Sequence, residues 1–180
     1  MCRTNKGKRK ISVFFLTLFL FVFLAGCGGN KLPADEKDDV VSDQEVFNCT
    51  ISINCETILN NTDKLERAKK DFVPSDGCIL TATTVSFEAG ETVHDILKRV
   101  CMDMNIHMES SYTPIYDSAY VEGIHQIYEF DCGKESGWMY KVNGWFPNYG
   151  CSQYEVSDGD NIEWVYTCDL GEDVGETSMK

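Results

Sequence analysis

The chain has 180 residues, with 16 Lys and Arg against 29 Asp and Glu, and a formal charge of −13. That balance excludes a phosphate-neutralising surface, and with it a DNA or RNA partner, because such binding needs Lys and Arg. The acidity reads instead as a solubilising coat.

The first 26 residues have the pattern of a targeting segment. Arg3, Lys6, Lys8, Arg9 and Lys10 form a basic start, and Ile11 to Leu24 is a continuous, predominantly apolar run. A membrane span needs about 20 residues, so this run is short for one and suits the core of a signal peptide. It ends at Leu24-Ala25-Gly26-Cys27, which resembles the lipobox of bacterial lipoproteins. In that family the cysteine thiol carries the lipid, so Cys27 is the expected attachment residue. The chain is then extracytoplasmic, held at the bacterial cell membrane in the cell envelope. Without residues 1–26 it loses five positive charges and stands at −18. Residues 27–45 carry Asp35, Glu36, Asp38, Asp39, Asp43 and Glu45 with few apolar groups. Such a composition cannot bury enough surface to order itself, which predicts a flexible acidic tether.

From Val46 the alternation places Cys49, Ile51, Ile53 and Cys55 on one face and Thr50, Ser52 and Asn54 on the other, the period of a strand. Asn61-Thr62-Asp63 can cap a short helix to about Asp71, with Leu65 and Ala68 as its apolar contacts. Residues 73–77 are turn-rich, and Cys78 to Phe87 reads as a second strand with Leu80, Val85 and Phe87. Thr92 and Asp95 have the spacing of a capping box. After them Val93, Ile96, Leu97, Val100, Cys101 and Met104 form one apolar stripe, the clearest helix in the chain. His94 falls at its start and is expected to be exposed. Ile106 to Tyr112, Tyr120 to Ile124 and Tyr128 to Asp131 read as strands, the first two separated by Thr113-Pro114. His107 and His125 sit in this region with no partner pattern.

The densest signal lies between Trp138 and Tyr166. Trp138, Tyr140 and Val142 alternate as a half-buried strand, and Asn143-Gly144 supplies the two residues that tolerate positive φ in a type I′ turn. Trp145, Phe146 and Tyr149 crowd a loop stiffened by Pro147. Ile162, Trp164 and Tyr166 alternate in a last strand introduced by Ser157-Asp158-Gly159-Asp160. That tetrapeptide reads as a turn, since a calcium loop needs a fuller ligand series. Residues 171–180 are polar and expected to be disordered. Residues 46–170 thus form one domain of α+β class: a β-grasp-like mixed sheet with one main amphipathic helix packed on one face.

Beyond Cys2 and Cys27 the domain holds Cys49, Cys55, Cys78, Cys101, Cys132, Cys151 and Cys168. In an exported chain pairing is the default, and no Cys-x-x-Cys is present to suggest a redox or zinc site. The β-grasp topology brings the helix end, with Cys101, towards the end of the first strand, with Cys55, which favours Cys55–Cys101. Cys132 and Cys151 bracket the hairpin and could brace it. Cys49 and Cys168 then remain, with Cys78 odd. Spacing alone does not fix connectivity.

The stretches V-S-F-E-A-G-E-T-V-H-D-I-L (85–97), S-G-W-M-Y-K-V-N-G (136–144) and P-N-Y-G-C-S-Q-Y-E-V-S-D-G-D-N-I-E-W (147–164) together resemble the transcobalamin-like C-terminal domain family, DUF4430. The resemblance spans roughly residues 46–170. The vertebrate relatives carry vitamin B12, closing a small β-domain over cobalamin held against a large helical barrel. This chain has no such barrel, and its tether leaves no room for one. The resemblance therefore implies the fold first, and cobalamin or another corrinoid as a ligand that a partner would help enclose. It implies no resident cofactor, and none of the three histidines falls in a matching motif.

The function expected is a surface-tethered, non-catalytic binding lipoprotein. Its ligand face would be Trp145, Phe146, Asn148, Tyr149 and Tyr154, while Trp138, Tyr140, Trp164 and Tyr166 serve the core. The alternative is a structural or assembly component docking onto another envelope protein or a glycan. An enzyme is not expected: no nucleophile–base order and no metal-ligand spacing stand out.

Overall fold

The structure is a computed structural model that describes residues 46–176. The expected signal peptide (1–26), the attachment residue Cys27 and the tether (27–45) lie outside those residues, as do 177–180 of the expected tail. The chain divides into two units, 1–41 and 42–180, and every described element belongs to the second.

Strand β1 (Phe47–Asn54) buries Cys49, Ile51 and Ile53 and turns the residues between them outward, as its alternation requires. It pairs antiparallel with β2 (Cys78–Phe87). Downstream of these come β3 (Met108–Thr113), β4 (Ser118–Ile124), β5 (Ile127–Tyr128), β6 (Gly137–Val142) and β7 (Asn161–Thr167). β1 pairs parallel with β7, and β7 antiparallel with β6, giving one sheet in the order β2-β1-β7-β6. The central parallel pair flanked by antiparallel neighbours is the β-grasp arrangement expected from the order of strands and helix. The inner face carries Ile51, Ile53, Trp138, Tyr140, Val142, Ile162, Trp164 and Tyr166, all buried.

Helix α1 (Val93–Asp103) is set by its cap. Thr92 Oγ1 accepts from the Asp95 backbone N–H at 3.2 Å, and the Asp95 carboxylate accepts from the Thr92 N–H at 3.0 Å. Val93, Ile96, Leu97, Val100 and Cys101 enter the same core as the sheet. Each fully buried Ile or Leu there contributes about 1.5–3 kcal/mol. The remaining strands do not extend this sheet; β3, β4 and β5 form a second one, adding Val121, Ile124 and Ile127 to the core. Trp138 joins the two sheets by donating from Nε1 to the Ile127 carbonyl at 2.9 Å.

Several local expectations are corrected. The helix expected over 61–71 does not form; a 3₁₀ turn, Glu56–Asn60, ends just before it and another, Arg67–Phe72, takes its second half. Leu65 is buried but Ala68 is exposed, and a single buried position gives an α-helix no face to pack. Met104 leaves the stripe, standing half exposed as the helix C-cap. β5 stops at Tyr128, where Phe130 takes a φ of 67° and the Asp131 carboxylate accepts the Tyr128 N–H at 2.6 Å. Residues 171–176, expected to be disordered, are fastened to the end of β7. Glu172–Val174 is a 3₁₀ turn, and the Asp173 carboxylate accepts from Thr167 Oγ1 at 2.5 Å and from the Cys168 N–H at 2.8 Å. No helix among the described residues is long and apolar enough to cross a membrane.

The two turns read from sequence are present. Asn143 and Gly144 have φ of 54° and 78°, both positive as type I′ demands. Asp158 accepts from the Asn48 N–H at 2.8 Å, and Asp160 from the Ser157 N–H and Asn143 Nδ2 at 2.9 and 2.8 Å. These carboxylates hold the turn before β7.

The thiols do not pair as expected; all seven in the domain are free. Thr50 lies beside Asn161 in the parallel pair, which puts Cys49 level with Asp160, eight residues short of Cys168. At roughly 3.3 Å per residue those ends are about 26 Å apart, beyond the reach of a disulfide. Arg99 in α1 reaches back towards the helix start, donating to the Ser86 carbonyl at 2.8 Å and to the Glu91 carboxylate at 3.2 Å. Cys101 and Cys55 are both free and buried, and the Cys55 N–H bonds the Gly77 carbonyl at 2.7 Å with Cys78 as a neighbour. Cys151 directs its thiol to the Ala119 carbonyl at 3.5 Å and Cys132 to that of Asn61 at 3.4 Å, so the expected brace between these two is not formed.

Candidate functional site

The type I′ corner turns the chain back so that Val142 and Trp145 exchange backbone hydrogen bonds at 2.9 and 3.0 Å. Phe146 follows with Lys141 Nζ 5.1 Å from its ring centre. The Tyr140 hydroxyl then reaches up from β6 and donates to the Tyr149 carbonyl at 2.8 Å. That bond fixes the aromatic loop above the sheet.

A second loop, the turn between β3 and β4, is laced to the first. Gln153 Nε2 donates to the carbonyls of Tyr116 and Asp117 at 3.3 and 3.2 Å. Ser152 Oγ accepts the Ala119 N–H at 2.8 Å and lies 3.0 Å from Ser118 Oγ. The space between the loops is a pocket of about 890 Å³. One wall is Thr113, Tyr116, Ser118, Ala119 and Tyr120; the other is Phe146, Pro147, Asn148, Tyr149 and Gly150, with Met139, Tyr140, Gln153 and Glu176 completing the lining. Rings dominate, and few polar groups enter.

Phe146, Asn148 and Tyr149 are thus brought together as the aromatic loop predicts. Trp145 and Tyr154 are not on the lining. Trp145 is exposed and touches Tyr149 edge-on at 6.4 Å. Tyr154 sits half-buried behind Tyr149, stacked on it at 5.9 Å and 11° and meeting Tyr140 edge-on at 6.4 Å. It supports the wall from the core side. The residues that sequence reading missed are those of the facing turn, above all Tyr116 and Tyr120. Their signal was the apolar tip Ile115-Tyr116 inside a Pro-Asp turn, where solvent-facing residues are normally polar.

Electrostatically the pocket is quiet. Tyr120 is pushed up by burial and by its hydrogen bond to Glu129 at 2.5 Å, and Tyr140 by burial, so both phenols stay protonated. Burial pushes Cys55, Cys101, Cys151 and Cys168 up to about 12 and Cys49 to about 11. His94, expected to be exposed, is half-buried, placed 3.0 Å from Ser110 Oγ, and lowered by that burial. Among the described residues no three His, Cys, Asp or Glu side chains gather as a metal site.

Residues 90–168 match the DUF4430 family, a domain of unknown function. The match begins just before α1 and ends at Cys168, so the matched segment holds every lining residue except Glu176. It agrees with the resemblance carried by the sequence motifs. Among solved structures, haptocorrin in complex with Cbi is similar with a TM-score of 0.52 and 14% identity, over 71% of this chain and 26% of haptocorrin. That likeness shows the fold, and this chain corresponds to about a quarter of haptocorrin's length. A candidate metal binding protein from Ruminococcus gnavus ATCC 29149 has a TM-score of 0.38 and 18% identity over 67% of this chain and 96% of that one, too low a score to carry further weight. No curated protein matches the sequence.

Proposed function

We propose that the chain is a non-catalytic binding module that takes a corrinoid, cobalamin or a relative of it, in the pocket between the β3–β4 turn and the aromatic loop. The observation that carries this is the pocket itself, a space of about 890 Å³ whose lining includes the rings of Tyr116, Tyr120, Phe146 and Tyr149. Apolar lining with a few convergent polar groups is the usual character of a small-molecule site. The fold likeness to haptocorrin, solved with Cbi bound, supports the ligand class. Because the likeness covers a quarter of haptocorrin, a second body would help enclose the ligand over the mouth of this pocket. The upward-shifted thiols offer little thiolate near neutral pH, which supports binding over nucleophilic catalysis.

The test is isothermal titration with cobalamin and with cobinamide. Saturable heat in the micromolar range is expected, and no heat at millimolar corrinoid removes this ligand. Anchoring through Cys27 belongs to the same proposal; labelled palmitate should enter the wild-type chain in a bacterial host and not Cys27→Ser.

A second reading is favoured by Ile115 and the pocket-lining Tyr116, which are 82% and 74% exposed at the tip of the β3–β4 turn. An apolar rim of this kind suits docking onto an envelope protein or a glycan. Crosslinking on intact cells separates the two: a stoichiometric protein adduct supports docking, whereas a monomer that titrates corrinoid supports the pocket.

A further inference from the structure

Cys132 and Cys168 meet on one short turn. Thr57 and Asn61 frame that turn, with Asn61 Nδ2 donating to the Thr57 carbonyl at 2.9 Å. Cys168 Sγ lies 3.7 Å from Thr57 Oγ1, and Cys132 Sγ lies 3.4 Å from the Asn61 carbonyl. The register explains the meeting: Asn54 is level with Val165, so the residues just after β1 face those just after β7. Each thiol is close enough to influence the other's titration, and both are buried, at 0% and 4% exposure.

The backbone on each side is already held. The Cys132 N–H donates to Ser136 Oγ at 3.1 Å, and Ser136 Oγ in turn receives the Tyr166 hydroxyl at 2.9 Å, tying the Cys132 loop to β7 two residues before Cys168. The Asp131 carbonyl accepts the Glu66 N–H at 2.8 Å. On the other side Asp173 accepts the Cys168 N–H.

We infer that Cys132 and Cys168 are a disulfide-forming pair whose bond closes the segment from β6 through the aromatic loop to β7. The fold then carries a covalent clasp at the base of the hairpin whose far end forms the pocket wall.

The step is thiol–disulfide exchange with a small disulfide such as oxidised glutathione. The Cys168 thiolate attacks one sulfur of that disulfide, forming a mixed disulfide and releasing one glutathione thiolate. The Cys132 thiolate then attacks the Cys168 sulfur and releases the second. Two electrons pass from the cysteine sulfurs to the oxidant, and the two thiol protons end on the released glutathiones. Burial raises both thiols in the closed fold, so the exchange runs while the chain is still folding.

The full chain, refolded in reduced and oxidised glutathione, blocked with an alkylating agent and digested without reduction, should yield a linked peptide pair containing Cys132 and Cys168. Recovery of both as alkylated thiols, or of either joined to another cysteine, overturns the pairing. A second readout does not depend on mapping. Reductant should lower the Tm of the oxidised wild type by on the order of 10 °C, and should leave that drop absent in the Cys132→Ser, Cys168→Ser double variant. An equal drop in the double variant overturns the inference. Neither readout involves the pocket's ligand, so the clasp stands or falls apart from the binding proposal.

Discussion

Gly150 rests against Ser118 so closely that a Cβ on the glycine would stand 1.6 Å from the serine hydroxyl oxygen and 2.2 Å from its Cβ. The aromatic loop is seated on the first residue of β4 with no gap. The pocket takes its shape from that approach, because each of its walls begins at one of these two residues.

Gly150→Ala should therefore push the loops apart. Overpacking of this kind costs about 1–3 kcal/mol, seen as a lower Tm in thermal melts. Removing the opposing side chain should recover part of the loss, so the double variant Gly150→Ala, Ser118→Gly should melt higher than the sum of its single changes predicts. Strict additivity would show that the two residues do not press on each other.

Tyr149 and Trp145 separate the lining from its surroundings. Tyr149 lines the pocket, whereas Trp145 is off the lining, exposed and edge-on to Tyr149. Tyr149→Ala is expected to weaken corrinoid binding by about tenfold or more, equivalent to roughly 1.4 kcal/mol. Trp145→Ala should change it by about threefold at most. Equal losses in titration calorimetry would place the ligand outside the pocket.

The cap of α1 offers a stability test remote from the pocket. Thr92→Ala removes the acceptor for the Asp95 N–H and should cost about 1 kcal/mol, a fall of roughly 3–5 °C in Tm for a domain of this size. Circular dichroism melts would measure it, and an unchanged Tm would mean that packing alone holds the helix start.

Acid should act in two windows. Burial lowers His94 below its ordinary 6.5, so the unfolded chain takes up the proton first. The stability linked to the neutral ring is present above that value and is lost as pH falls through the lower folded-state pKa. Between about pH 7 and pH 5 the wild type should lose more Tm than His94→Gln. Asp95 is also lowered, chiefly by its hydrogen bond from Thr92, so a further loss is expected below the ordinary carboxylate value of 3.8. Parallel pH profiles for the two proteins would show the His94 contribution to be absent.

What the sequence by itself determined is local. The alternation at Cys49, Ile51 and Ile53 marks an inner face because neighbouring strand residues must point to opposite sides. Thr92 and Asp95 cap a helix because they stand three residues apart, and Asn143-Gly144 turns the chain because both accept positive φ. Only the tertiary structure decided that β3, β4 and β5 would leave the main sheet and carry Tyr116 and Tyr120 across from Tyr149, or that Cys168 would lie by Thr57 and Cys132. Those meetings depend on which strands pair and in which register, and register is settled by packing of the whole core, among residues far apart along the chain.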